Sequence, residues 1–159
     1  MTVFISYRHS DRTTAFQVNA ELQQAGIKTY MDVFDAESQS TENITAVITK
    51  NVAECTHLIA VISGQTALSW WVPFEIGEAT ISATRIASYR VGYTHLPEYL
   101  EMWPQMTNSS HLALFISEYK KEQSTALNNK RMFESAGSVG TYSADTFHKT
   151  LKNRISRGY

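Results

Sequence analysis

The fold is decided by the apolar run His57-Leu-Ile-Ala-Val-Ile62 and by the segment after it, Ser63-Gly-Gln-Thr-Ala-Leu-Ser-Trp-Trp-Val-Pro-Phe-Glu-Ile-Gly-Glu-Ala79. Leu58–Ile62 is apolar at every position, which is typical of a central parallel strand covered by helices on both sides. Pro73 suits the first turn of a following helix, where its missing N–H costs nothing. We predict that this helix turns four residues inward: Ile76, Ala79, Thr80 and Ala83.

The segments before this strand form the same kind of unit. Val3-Phe-Ile5 is short and β-favouring, so we predict a first strand that ends in Ser6-Tyr7-Arg8-His9. Asp11 or Thr13 is expected to cap a helix that Gly26 ends, because glycine adopts the left-handed conformation cheaply. One stripe of that helix is apolar: Ala15, Val18, Leu22 and Ala25.

Further strands and helices alternate along the chain. Ile27–Val33 is predicted as the second strand, Phe34–Ser40 as an exposed polar loop and Arg85–Val91 as a weaker fourth strand. A helix that starts at Thr41 has an apolar face made of Ile44, Val47, Ile48 and Val52. The order predicts an α/β fold, a flavodoxin-like doubly wound parallel sheet of four to five strands with helices on both faces. We expect residues 1–159 to form a single domain.

The last third of the chain has a weaker pattern. A helical turn is expected between Pro97 and Pro104. Leu112–Ile116 fits a strand by itself, but its apolar spacing continues to Tyr119, so we predict a helix. The segment 125–141 contains Asn-Asn and two glycines and is predicted as a loop. A closing helix, capped by Ser143, has three apolar residues at i, i+4 and i+8: Phe147, Leu151 and Ile155.

Composition excludes several classes of protein. The net charge of −1 gives no basic footprint for nucleic acid or an anionic membrane. No apolar run approaches the roughly 20 residues that span a bilayer, and no signal peptide is expected. The lone Cys55 excludes an internal disulfide, suits the cytoplasm and is predicted to be buried. No metal site is expected, because five histidines lack ligand spacing and suit the surface or strand ends: His9, His57, His95, His111 and His148.

Three polar segments are expected to meet at one edge of the sheet. In doubly wound sheets the ligand crevice lies beyond the carboxyl ends of the strands. The segments at those ends are Ser6–His9, Asp32–Ser40 and Ser63–Trp71. The fold therefore predicts a binding site there without reference to any family.

The same segments carry a resemblance to the Toll/interleukin-1 receptor (TIR) domain. Val3-Phe-Ile-Ser-Tyr-Arg8 is similar to the first box of that family, and Tyr30-Met-Asp-Val33 resembles the strand that enters its BB loop. Ser69-Trp-Trp-Val-Pro-Phe-Glu75 resembles the motif in which enzymatic members carry a glutamate four residues after a tryptophan. The chain departs from the family in the BB loop, where Ser38 follows Glu37 in place of a frequent glycine.

The resemblance implies an enzyme that cleaves the nicotinamide–ribose bond of NAD. NAD is then a substrate, no cofactor is needed, and no Gly-x-Gly-x-x-Gly motif follows the first strand. The product implied is ADP-ribose, a cyclic isomer or a conjugate, made as a signal for a separate effector in anti-phage systems of the Thoeris type. Self-association through the BB loop, residues 33–40, is also implied.

Residue chemistry is compatible with these roles. Glu75, in a first helical turn, is favoured as an anion by the helix dipole, and Trp71 can stack on a ring. Ser6, Tyr7 and Arg8 can offer hydroxyls and a cation to ribose and pyrophosphate. Of the remaining predicted substrate-binding residues, Ser63 and Asp32 border the crevice, although Asp32 has the alternative of only holding the BB loop. Tyr7 and Phe34 suit a pocket wall and an assembly surface equally well.

Two other functions stay open. One is a non-enzymatic TIR module that works through TIR–TIR contacts, and the other is glycosyl transfer to nucleosides, as in nucleoside deoxyribosyltransferases. The pair Trp71 and Glu75 favours the NAD-cleaving enzyme over the module. Substrate preference separates the two enzymes.

Overall fold

The protein forms an α/β structure with one parallel sheet. The computed structural model describes residues 1–34, 49–65, 71–93, 95–133 and 143–158, with side chains throughout except at 32–34, 71–75 and 129–133. The strands are β1 Val3–Arg8, β2 Thr29–Phe34, β3 His57–Ile62, β4 Arg85–Arg90 and β5 Gln105–Met106. The helices are α1 Arg12–Gln24, α2 with described residues 49–54, α3 Trp71–Ile81, α4 Ser109–Phe133 and α5 Ala144–Arg157, and short 3₁₀ helices span His9–Asp11 and Glu98–Met102.

The sheet has the order β2-β1-β3-β4-β5, and every pair of neighbouring strands is parallel. This is the flavodoxin-like order, so the predicted fold class is confirmed. All six residues of β3 are buried, as its unbroken apolar run predicts. The two-residue β5 is too short to give a sequence pattern, which is why it was not located in advance.

Two apolar cores cover the two faces of the sheet. One core joins Val3, Ile5 and Tyr7 to α1, α4 and α5, and we call this side the α1 face. The other joins Phe4 and the alternate positions of β3 to Val52 of α2 and Ile76 of α3, and we call it the α3 face. Because successive strand residues point to opposite faces, each residue of β1 and β4 can be assigned to one face.

Helix α1 matches its predicted stripe, since Ala15, Val18 and Leu22 are buried. Gly26 ends it with φ +76°, as predicted. The predicted capping by Asp11 or Thr13 is wrong: Asp11 occupies the N-cap position, but its side chain makes no capping hydrogen bond, and Thr13 lies inside the helix. Its φ and ψ of −105° and 9° belong to the preceding 3₁₀ turn and differ from the extended geometry that a side-chain cap needs.

Helix α3 ends at Ile81, before Ala83, the last residue of its predicted inner face. Ile76 and Ala79 are buried, but Thr80 and Ala83 are exposed, so the inward orientation of those two residues was wrong. The helix ends at Ile81, and Ala83 lies beyond it with φ +53°. Thr84 N–H donates to the Ala79 carbonyl, which closes a left-handed cap of the kind that usually contains glycine.

Helices α4 and α5 pack together on the α1 face. The prediction of helix at 112–119 is confirmed, but the predicted loop begins too early, because α4 continues to Phe133. The glycines Gly137 and Gly140 lie beyond that point, and one Asn-Asn pair costs too little to end a helix already formed. Ser143 caps α5 as predicted, since its hydroxyl accepts the Thr146 N–H at 3.2 Å. No described helix is long and apolar enough to cross a membrane.

A buried charged cluster lies at the amino edge of the sheet, defined by the strand starts. His57 is fully buried among the rings of Phe115, Tyr119 and Phe147. It is the first residue of β3, so it lies at a strand end, one of the two predicted places, and not at the surface. His57 Nε2 lies 3.4 Å from Glu122 of α4, which also pairs with Arg85. Burial lowers the pKa of His57, and the contact with Glu122 opposes this effect.

The single cysteine is buried, as predicted. Cys55 belongs to the core on the α3 face, just before β3. Burial raises the pKa of its thiol, and the nearby Glu54 raises it further. A buried thiol with a raised pKa is a poor nucleophile, so Cys55 has a structural role.

Candidate active site

The strand order places a crevice between the carboxyl ends of β1 and β3. In the order β2-β1-β3-β4-β5, the chain leaves β1 for α1 on one face and leaves β3 for α3 on the other. This is the topological switch point, where ligands bind in doubly wound sheets. β1 pairs with β3 only as far as Ser6 and Ala60, whereas β1 itself continues to Arg8. The last residues of β1 therefore border the crevice.

The predicted residues of β1 divide between the two faces. Ser6 is 4% exposed and, with Arg8, alternates with Tyr7, so both point to the α3 face. Tyr7 is 3% exposed and belongs to the core of the α1 face, where its ring meets Phe16 edge to face at 6.4 Å between centroids. The structure brings Ser6 and Arg8 to one side of the crevice and does not bring the Tyr7 ring with them.

The residues predicted on β2 and after β3 lie at the same edge. Asp32 is the register partner of Ser6, and Phe34 is the partner of Arg8, so their backbones border the crevice one strand away. Their side chains fall outside the described set, as does most of the BB loop at 33–40. Ser63 directly follows β3 and is partly buried.

Trp71 and Glu75 occupy the first and fifth positions of α3. This helix follows β3, so its amino end lies at the carboxyl edge of the sheet, and the two residues are one helical turn apart. Their side chains are outside the described set. The first turn of α3 contains no acidic residue, which corrects the expected position of Glu75. The helix dipole acts mainly within that turn, so its help in keeping Glu75 ionised is smaller than expected.

A second Ser-Tyr-Arg segment, which the sequence reasoning missed, ends β4. Ser88-Tyr89-Arg90 repeats the triplet at the end of β1, and Ser88 is level with Ala60, which is itself level with Ser6. Ile86 belongs to the core on the α3 face, so Ser88 and Arg90 point to that face as well. The repeated triplet was the signal that could have identified them.

Two polar atoms of this second triplet have no hydrogen-bond partner in the described part of the chain. Ser88 Oγ and Arg90 Nε are buried and have no hydrogen-bond partner, among the residues that the structure describes. Buried polar groups are almost always paired, so unpaired ones call for an explanation such as a ligand or water. Both atoms lie on the same face and at the same edge as Ser6 and Arg8.

A separate cleft opens at the other end of the strands. It has a volume of about 610 Å³ and lies between the end of α3, the start of β4, Trp103 and the first turns of α5. Of its lining residues, Thr84, Ile86 and His148 mark its position at the amino edge. None of its described lining residues belongs to the predicted site.

The fold and the site define an α/β domain with a polar crevice at its switch point. The family model for the TIR domain matches residues 3–127, which is most of the chain, and the protein therefore belongs to the TIR domain family. The three sequence boxes lie within the matched range, whereas α5 lies beyond it. Phe147 and Leu151 of α5 nevertheless belong to the core on the α1 face. A comparison with curated proteins found no match.

Proposed function

We propose that this protein is a cytoplasmic TIR enzyme that cleaves the nicotinamide–ribose bond of NAD. Its product would be ADP-ribose or a cyclic or conjugated derivative, made as a signal for a separate effector in anti-phage defence. The observation that carries the proposal is the position of Trp71 and Glu75, one turn apart at the start of α3, beside the switch-point crevice of a TIR domain. The alternative is a TIR–TIR interaction module, which is favoured if the experiments below detect no turnover of NAD.

The proposed chemistry needs one carboxylate. In NAD the nicotinamide is a cationic pyridinium, so when the bond between its nitrogen and the ribose carbon breaks, the electron pair neutralises the ring and no general acid is required. The ribose then has oxocarbenium character, which an anionic carboxylate can stabilise, as in glycoside hydrolysis. Water adds to that carbon and loses a proton to give ADP-ribose, or an internal or external nucleophile adds in its place. We assign the carboxylate to Glu75.

Other residues would bind the substrate. Ser6 and Arg8, on the α3 face at the end of β1, suit a ribose hydroxyl and the diphosphate. Trp71 would stack on nicotinamide or adenine. Ser63 and Asp32 would complete the polar border, and Phe34 would add an apolar one. Tyr7 has the weakest case, because its ring packs against Phe16 on the other face.

The deciding experiment is a mass-resolved product analysis of the full chain with NAD, beside Glu75→Gln. Glu78→Gln is the matched control, since it removes the same charge from the same helix three residues further on. We expect the wild type and the control to release nicotinamide together with a product of ADP-ribose or cyclic mass. We expect Glu75→Gln to lose at least about 100-fold in rate, the scale of a removed electrostatic catalyst.

Self-association belongs to the same proposal. TIR domains commonly self-associate. If the BB loop of one copy completes the site of the next, specific activity rises with protein concentration or on immobilisation. Activity per molecule that stays constant over a wide concentration range would refute this part. If the protein does not turn over NAD at high concentration, in crowded buffer or with phage-infected lysate, the enzymatic function is refuted and the interaction module is favoured. Turnover of nucleosides alone would indicate deoxyribosyl transfer.

A further inference from the structure

We propose that Arg90, at the end of β4, is a substrate-binding residue that faces Arg8 across the crevice, and that the two guanidinium groups hold the diphosphate of a dinucleotide. The identification of this dinucleotide as NAD rests on the proposed function. The placement of Arg90 rests on the sheet register, on burial and on unpaired polar atoms.

The register puts the two arginines on opposite sides of β3. Arg90 is the register partner of Ile62, the last residue of β3, and Arg8 is the last residue of β1 on the other side. Neighbouring strands lie about 4.8 Å apart, so the two backbones are separated by about 10 Å at the carboxyl edge. Both side chains belong to the α3 face, the face on which α3 begins.

Neither arginine has an anionic partner among the described residues. In the described ranges, neither Arg8 nor Arg90 forms an ion pair, whereas Arg85 and Arg154 each pair with a buried glutamate. Arg90 is half-buried, and its Nε has no hydrogen-bond partner among the described residues. A partly buried guanidinium without an anion is costly to keep, and its planar fork of donors matches phosphate oxygens. Two such forks on one crevice suit a doubly charged, extended anion better than a single carboxylate.

Between the arginines the α3 face carries the buried side chain of Ile62, and two residues further from the edge it becomes polar. Ser6, Ala60 and Ser88 are consecutive register partners, so a small methyl group separates two serines on the α3 face. Ser88 Oγ is buried and, within the described part of the chain, lacks a partner. A ligand held between the arginines would bring acceptors close to this hydroxyl.

The test measures binding and turnover separately. Titration calorimetry with ADP-ribose and with inorganic pyrophosphate compares the wild type, Arg90→Gln, Arg90→Lys and a control, Lys28→Gln. Lys28 is exposed at the amino edge, so this control removes one positive charge far from the crevice. We expect about 10- to 100-fold weaker binding in Arg90→Gln, partial recovery in Arg90→Lys and less than about two-fold change in the control, since a charge-assisted hydrogen bond to phosphate is lost.

Kinetics distinguish a binding role from a structural one. Arg90→Gln should raise KM for NAD about 10- to 100-fold with little change in kcat, and should leave turnover of nicotinamide riboside, which has no diphosphate, unchanged. Arg90→Gln that binds ADP-ribose within about two-fold of the wild type, or a wild type that binds neither probe, would overturn the proposal. Tight, Arg90-dependent binding without NAD cleavage would instead support Arg90 and refute the proposed reaction.

Discussion

The replacement His148→Gln should reduce the acid sensitivity of the fold. His148 Nε2 accepts a hydrogen bond from the Ile86 N–H at 2.8 Å. The short β5 pairs with β4 only at Ser88 and Tyr89, so His148 of α5 satisfies a backbone donor that β5 does not reach. Only neutral imidazole, with its proton on Nδ1, can accept this bond, and protonation replaces the acceptor with a donor. The bond therefore couples α5 to the sheet in a pH-dependent way.

The sign of the effect follows from the direction of the pKa shift. Burial lowers the pKa of His148 from 6.5 to about 4, with nearby Arg85, His57 and Lys152 acting in the same direction and Asp145 opposing them. Above pH 6.5 the imidazole is neutral in both the folded and the unfolded chain. Between about pH 6.5 and 4 the unfolded chain binds the proton and the folded one does not, so the free energy of unfolding falls as the pH falls through this window.

The magnitude has an upper limit from the same shift. A change from 6.5 to about 4 corresponds to at most about 3 kcal/mol once the pH has fallen to the lower value. Because the imidazole is partly exposed, solvent screening reduces the expected loss to about 1–2 kcal/mol. Glutamine can still accept the Ile86 N–H and does not titrate, so His148→Gln should lose that much less stability on acidification.

Urea unfolding of both proteins at about pH 7.5 and about pH 4.5 measures this difference. Subtracting the change in the variant from that in the wild type removes the contributions of other groups, including His57 and His111, whose pKa values burial also lowers. Equal pH dependence in the two proteins would refute the reasoning. A variant that is more acid-sensitive than the wild type would refute it as well, since glutamine then cannot replace the acceptor.

Two other predictions concern the sheet and its helix ends. Ala83→Gly should stabilise the fold by about 1 kcal/mol, and Gly26→Ala should destabilise it by about the same amount, because both residues have positive φ after a helix. Thermal unfolding should therefore show a higher Tm for Ala83→Gly and a lower Tm for Gly26→Ala, and shifts of the same sign would contradict the prediction. Glu122→Gln should cost about 2–4 kcal/mol in urea unfolding, because it removes a buried carboxylate that pairs with Arg85 and lies beside His57. Glu54→Gln, on the exposed side of α2, is the control, and a similar cost in both variants would contradict the prediction.

The sequence is sufficient for the frame of the fold because the strong patterns are local. The unbroken run Leu58–Ile62, the stripe of α1 and the cap at Ser143 each depend on neighbouring residues, and each appears as predicted. The errors arise where the outcome depends on tertiary contacts or small energies. The end of α3, the extension of α4 to Phe133 and the two-residue β5 belong to this group.

The candidate site shows the same division. The fold predicts which edge carries the crevice, and Ser6 and Arg8 lie there on the α3 face. Tyr7 packs on the other face, and the alternation of side-chain directions along β1 was needed to separate it from Ser6 and Arg8. Arg90 was missed because the repeated Ser-Tyr-Arg triplet does not by itself place it in the fold. Only the register shows that β4, two strands away from β1, ends level with the crevice. Residue chemistry proposes a site, but strand pairing decides which side chains share it.

The arginines at the two edges of the sheet differ in their ion pairs: Arg85 at the amino edge pairs with Glu122, whereas Arg90 at the carboxyl edge forms no ion pair with a described residue. At the amino edge, Arg85 and His57 are matched by Glu122, and elsewhere in α4 the buried Glu118 pairs with Arg154. At the carboxyl edge, Arg90 and Ser88 keep buried polar atoms without a partner among the described residues. An unpaired buried group lowers the stability of the free protein and is relieved when a complementary ligand binds. A diphosphate that fits the crevice should therefore raise Tm in the wild type more than in Arg90→Gln, while changes at Glu122 should alter Tm without altering that increment.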